Sequence, residues 1–342
     1  MLNDTEEVTN GSAHNVTNEP VLPAPYAIPV AEALLLGGRR RTFAGLEPKE
    51  WTFLAVSTVN LIVTVVLTLV RLSEVIKNGE TKTADMTFII LILVNSIFFT
   101  FYILNGLMRE REFELYALVC AILVILAYCI AQYMQKPHND TVKLARLVMC
   151  SVLAPPNIAL AVVVAREFGW LEFRIVGASE ALQRMYRETT RFSSLLKFDF
   201  QIAVSIVILV LKNGTEVSTY EIIILAVGIP VSFIWMCIGW VAVKLESRLS
   251  VTIFVILGLF GPAYIAYRLY YLYVDLFNLF TRIDKVLVYA QLVACAFALL
   301  VRSLVFLELF RVVRNFGKGL RERAFSSTAA ERTSLLSGYR HR

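Results

Sequence analysis

Histidine is nearly absent from this chain. There are three in 342 residues (His14, His138, His341), and none falls in an apolar stretch. No intramembrane metal site can be assembled from them, and neither H-E-x-x-H nor G-x-S-x-G occurs. Charge is sparse at 18%. No two carboxylates share the middle of an apolar run, which argues against an intramembrane aspartyl protease and against proton coupling through a buried acid pair. We therefore expect no enzyme activity and no cofactor. All five cysteines (Cys120, Cys129, Cys150, Cys237, Cys295) lie inside apolar stretches, so no ectodomain disulfide framework is present and each reads as a small hydrophobe. Gln132-Tyr133-Met134 stands where a seven-helix receptor would carry an acid–Arg–Tyr triplet. No cleavable signal peptide is recognisable, since Pro25–Gly38 is interrupted by prolines and Glu32.

What the chain has in quantity is apolar sequence, 57% of the residues. It is gathered into eight stretches, at approximately 51–72, 86–108, 114–134, 147–165, 195–211, 221–243, 251–273 and 286–310. A bilayer core about 30 Å thick needs roughly 20 apolar residues per helix. The expected fold is thus all-α, a polytopic transmembrane bundle of eight spans over residues 49–313, with the lipid bilayer as its surroundings. Residues 1–48 and 314–342 are polar, unpatterned tails and read as disordered. One connector is long. Within 167–196, Leu171, Ile175, Ala178, Leu182 and Met185 recur at helical spacing, with Arg184, Arg187 and Arg191 off the stripe. It reads either as a basic amphipathic helix in the headgroup region or as a helix packed on a neighbouring span's end.

The basic residues set orientation. In an eight-span arrangement, 22 of the 33 Lys and Arg lie on the side of the two termini, nine on the other and two inside spans. Positive charge favours the cytosol, so both termini are expected there. A seven-span alternative omits the fifth stretch, whose start Lys197 and Asp199 interrupt. It divides the charges 16 to 15 and loses the bias. Nucleic-acid binding is not expected, because the basic residues flank spans rather than forming a compact basic domain. Against the charge count stand sequons at Asn3, Asn10 and Asn15, which are usable only on a lumenal N-terminus. Two more, at Asn139 and Asn213, fall in connectors the eight-span arrangement places outside.

Polar residues within spans are the candidates for function. Asn60 and Asn95 sit at similar depth in the first two spans and could pair. Pro155-Pro156-Asn157 should kink or break the fourth span, with Pro230 and Gly261-Pro262 as further flexible points in the sixth and seventh. Arg268, among Tyr264, Tyr267, Tyr270, Tyr271 and Tyr273, reads as snorkelling to the outer interface. Arg302 lies too deep for that and should meet a carbonyl, Glu308 or Asp199. Ala290, Ala294 and Ala298 form a stripe that permits close helix packing. In the tail, Glu331 precedes Leu335-Leu336 by four residues. This resembles the acidic dileucine signal read by clathrin adaptors on cargo bound for endosomes and lysosomes.

The expected function is a small-solute transporter or permeation pathway of endolysosomal membranes, with the fourth, sixth and seventh helices lining it and Arg302 inside. The alternative is a receptor-like protein or scaffold that recruits cytosolic partners and moves nothing. Endosomes or lysosomes are the expected location, with the plasma membrane as the second. A central cavity reaching Arg302 would separate the two.

Overall fold

The computed structural model describes residues 46–79, 84–135, 141–168, 180–211, 219–278 and 285–317. Nine helices account for nearly all of them: α1 Pro48–Lys77, α2 Ala84–Met108, α3 Glu112–Gln135, α4 Thr141–Glu167, α5 Glu180–Leu209, α6 Thr219–Leu245, α7 Arg248–Gly258, α8 Phe260–Asn278 and α9 Lys285–Val313. Seven stretches among the described residues are long and apolar enough to cross a membrane, α7 and α8 together counting as one. The eighth crossing is α3, which leaves α2 by a three-residue turn and packs along both α2 and α4. With an even number of passes, Leu46 and Gly317 lie at the same membrane face. Contacts at that face agree: Lys49 pairs with Glu167 at the end of α4, and the Gly317 N–H donates to Glu246 at the end of α6.

Local sequence sets the helix ends. Glu47 and Glu50 cap α1 reciprocally, with Pro48 in the first turn, a position where a missing N–H removes no helical bond. The α2–α3 and α6–α7 turns each place a glutamate, Glu110 and Glu246, at φ +49°. Ser247 then caps α7 by accepting from the Ser250 N–H.

The bundle is built around α5. Two-thirds of its apolar window is buried (67%), against 11% for α6 and 17% for α1, and it touches α2, α3, α6 and α9. The connector and the fifth span are not separate elements: residues 180–209 form one helix. Its stripe, with Met185, Phe192 and Leu196 buried, faces protein, where Phe192 and Leu196 pack with Trp235, Phe254, Val305 and Leu309. Arg184 and Arg187 face outward. The packed alternative for this segment therefore holds from Glu180 onward, and Leu171, Ile175 and Ala178 lie outside the described residues. So do the tail signal (Glu331, Leu335, Leu336) and the sequons at Asn3, Asn10, Asn15, Asn139 and Asn213.

Candidate functional site: a buried ion pair at a helix break

Lys197, Asp199 and Gln201 open the apolar half of α5. Alternate residues on a helix point about 200° apart, so Lys197 and Asp199 need partners on opposite sides. The central position of α5 supplies them. Lys197 reaches Glu114 at the start of α3, a carboxylate with no exposed surface that Asn105 and Arg111 also contact. Gln201 donates to the Asn95 side-chain oxygen at 2.6 Å, and the Asn95 amide donates to Ser205 at 3.2 Å. Asn95 therefore joins α2 to α5, and the expected Asn60–Asn95 pair is not formed; Asn60 is half-buried on α1.

Asp199 faces Arg302 of α9. The guanidinium Nε donates to Oδ1 at 2.9 Å and Nη2 lies 2.8 Å from Oδ2, with Asp199 only 4% exposed. The guanidinium also stacks on the Trp235 ring of α6, its carbon 3.8 Å from the ring centroid. Nη1 donates to the Gly258 carbonyl at 3.3 Å. That last contact has a covalent cause. In a continuous helix the Gly258 carbonyl would accept from the N–H four residues on, which is Pro262, and proline has none. The two helices meet at Leu259, which keeps helical dihedrals (φ −71°, ψ −21°) and has i→i−4 bonds on either side, so the ladder lapses only at the Gly258 carbonyl, and there Arg302 supplies the missing donor. Gly261 makes room for it, since a Cβ there would stand 3.0 Å from Nη1. The site joins α5, α6, the α7–α8 break and α9. Of the partners expected for Arg302, Asp199 and a carbonyl are realised; Glu308 instead meets Arg191 and Arg311.

The other candidates are distributed differently from the sequence expectation. α4 runs as one helix through Pro155 and Pro156, both of which face outward. Pro230 is likewise on the exposed side of α6. Asn157 turns inward and accepts from the buried Ser57 hydroxyl of α1 at 2.8 Å, a partner that no spacing in the sequence indicated. α4 packs on α1 and α3, so the elements around Arg302 are α5, α6, α7 and α8, with α4 elsewhere. Arg268 does not snorkel. It is 8% exposed and lines a narrow crevice between α5, α8 and α9, while its neighbours Tyr267 and Tyr270 are exposed. The alanine stripe packs as expected: Ala298 is buried, and Ala290 and Ala294 lie against the Phe88–Leu209 cluster. Among the described residues no group of His, Cys, Asp and Glu could hold a metal ion, and the five cysteines are free thiols.

The model of a domain of unknown function, DUF7789, matches residues 37–166 and 176–311. The chain belongs to the DUF7789 family. The match takes in every residue of the Arg302 site. The tail signal and the three N-terminal sequons lie beyond it. No curated protein and no solved structure matches this DUF7789 chain.

Proposed function

We propose that this multi-pass membrane protein is a gated small-solute carrier or permeation pathway, resting closed, in which the Asp199–Arg302 pair is the lock. The observation that carries the reading is the guanidinium seated on the carbonyl that Pro262 leaves free. A charge inside a membrane bundle is costly and is retained where it does something. A proline that strips one mid-membrane carbonyl of its helical donor leaves a weak point about which the helix can bend, a lesser form of the discontinuous helices found in carriers. Releasing Arg302 from Asp199 would let α8 swing about Leu259 and open the α5–α9 side of the bundle.

The non-transporting scaffold has an observation of its own. Arg302 is fully engaged by Asp199, Gly258 and Trp235, as a purely structural arginine would be. Stopped-flow shrink–swell of proteoliposomes with a panel of small polar solutes separates the two. The carrier reading expects permeation above protein-free vesicles that changes in Asp199→Asn. Permeation equal to empty vesicles, for wild type and variant alike, would leave the scaffold.

The endolysosomal destination belongs to the same proposal and rests on Glu331, Leu335 and Leu336. Two leucines in an apolar adaptor pocket and an acid on its basic rim are needed together. Leu335→Ala with Leu336→Ala should move the protein to the cell surface, with Glu331→Ala doing so in part. Equal surface labelling of wild type and the double-alanine variant would remove the assignment, together with the adaptor as a partner.

A further inference from the structure

At the membrane face opposite Leu46 and Gly317, another arginine is buried, with no hydrogen bond or ion pair to it among the described residues. Arg268 lies ten residues before the end of α8, about 15 Å along the helix. It is 8% exposed, and its Nη2 makes no hydrogen bond. It lines a crevice with Ile206 and Leu209 of α5 and Gln291, Ala294 and Cys295 of α9. Gln291 is 4% exposed. Its amide N–H donates to the Leu209 carbonyl at the end of α5, which fixes the amide's orientation and turns Oε1 away, where it is also unpartnered. One turn before Arg268, the buried Tyr264 hydroxyl has no partner either.

Two unsatisfied buried polar groups lining one crevice, with the Tyr264 hydroxyl one turn away, are costly, each by about 1–3 kcal/mol for a neutral group and more for a charged one. A group left unsatisfied in a native interior calls for a cause, and an ion that completes it is one. Their chemistry is complementary to one class. The guanidinium calls for an oxyanion, Gln291 Oε1 accepts and therefore calls for a donor, and the tyrosine hydroxyl serves either. A bare carboxylate or sulfate leaves Gln291 unmet. A cation is repelled.

We propose that the Arg268–Gln291 crevice binds a singly charged oxyanion bearing an O–H, the chemistry of monobasic phosphate and of a phosphate-monoester lipid headgroup. As it stands the crevice is too narrow for a water molecule. Entry therefore requires α8 to move off α9, and this clause alone rests on the α7–α8 hinge proposed above. Occupancy itself does not depend on transport.

The test is thermal unfolding of the full-length protein in phosphatidylcholine nanodiscs at about pH 5.5, where phosphate monoesters keep a proton. One arm adds inorganic phosphate, a second adds sulfate, and a third replaces part of the phosphatidylcholine by phosphatidate. A saturable rise in the unfolding midpoint with phosphate or with phosphatidate, and not with sulfate, supports the site and names the source. Cys295→Asp places a carboxylate of nearly cysteine's size in the crevice as an internal partner for Arg268. It should unfold at a higher temperature than Cys295→Asn and respond to the anion roughly tenfold more weakly or not at all. Arg268→Gln should lose the response as well. No response in either the phosphate or the phosphatidate arm overturns the proposal. So does an equal response to sulfate, or a response that survives in Cys295→Asp and Arg268→Gln. None of these readings involves permeation, so failure here is distinct from failure of the carrier reading.

Discussion

At the scale of single residues, the question is whether the Asp199–Arg302 pair stabilises the bundle or only specifies its conformation. Removing one member strands a charge among Trp235, Gly258 and Gly261, and breaking a buried pair in this way costs about 3–5 kcal/mol. Replacing both by apolar side chains is commonly neutral, and in a bilayer-embedded bundle the desolvation terms weigh further in that direction. Arg302→Leu alone should thus unfold at a markedly lower temperature and accumulate poorly. Arg302→Leu with Asp199→Leu should recover most of the loss, measured as the unfolding midpoint of the purified protein. If Arg302→Leu is instead rescued by Glu308→Gln and not by Asp199→Leu, the pairing drawn above is wrong. Stacking on Trp235 adds up to about 2 kcal/mol in a desolvated site, so Trp235→Leu should weaken the protein in wild type and have a smaller effect in the double variant.

At the scale of elements, the α7–α8 break is the feature the proline rule explains most directly. Gly258 lacks a helical donor only because residue 262 is proline. Pro262→Ala restores that N–H, competes with Arg302 for the carbonyl and completes the hydrogen-bond ladder across α7–α8. It should raise the unfolding midpoint, by an amount equivalent to no more than about 3 kcal/mol, and reduce any permeation measured for wild type; a lower midpoint would show that the break is required for packing. This break was legible in the sequence, as Gly261-Pro262 within an apolar run. The prolines of α4 and α6 have the same signal but face outward, and a sequence does not say which side of a helix meets lipid until its neighbours are known. α5 misleads for a related reason. Lys197 and Asp199 lower its apolar character, so it reads as the weakest span. It is the most buried helix because those two charges, on opposite sides, demand protein all around it. That inference was open to sequence reasoning, since charges in a span turn inward. The identity of the partners was not: Glu114 lies 83 residues away in sequence and Arg302 lies 103 away. The tyrosines around Arg268 resemble an interfacial belt and point to snorkelling, whereas the close approach of α9 to α5 leaves it an inward crevice to occupy.

At the scale of the whole molecule, the even number of passes brings Leu46 and Gly317 to one face, and the charge distribution predicts that this face is the cytosolic one. Asn3, Asn10 and Asn15 should therefore remain unmodified, and glycosidase treatment should leave electrophoretic mobility unchanged. A shift abolished by mutating those three residues would invert the orientation and expose the Arg268 crevice to the cytosol. The central claim, however, is that one ion pair keeps the bundle closed at the α7–α8 break, and hydrogen–deuterium exchange reports on that break without knowledge of a substrate. The comparison is wild type against the Asp199→Leu, Arg302→Leu double variant in nanodiscs, followed on peptides spanning residues 254–266. Loss of the lock should speed exchange at the break while peptides from α1 and α4 keep their protection. Unchanged protection across 254–266 in a folded double variant would show that the helix break is held by packing alone, and the lock would have to be abandoned.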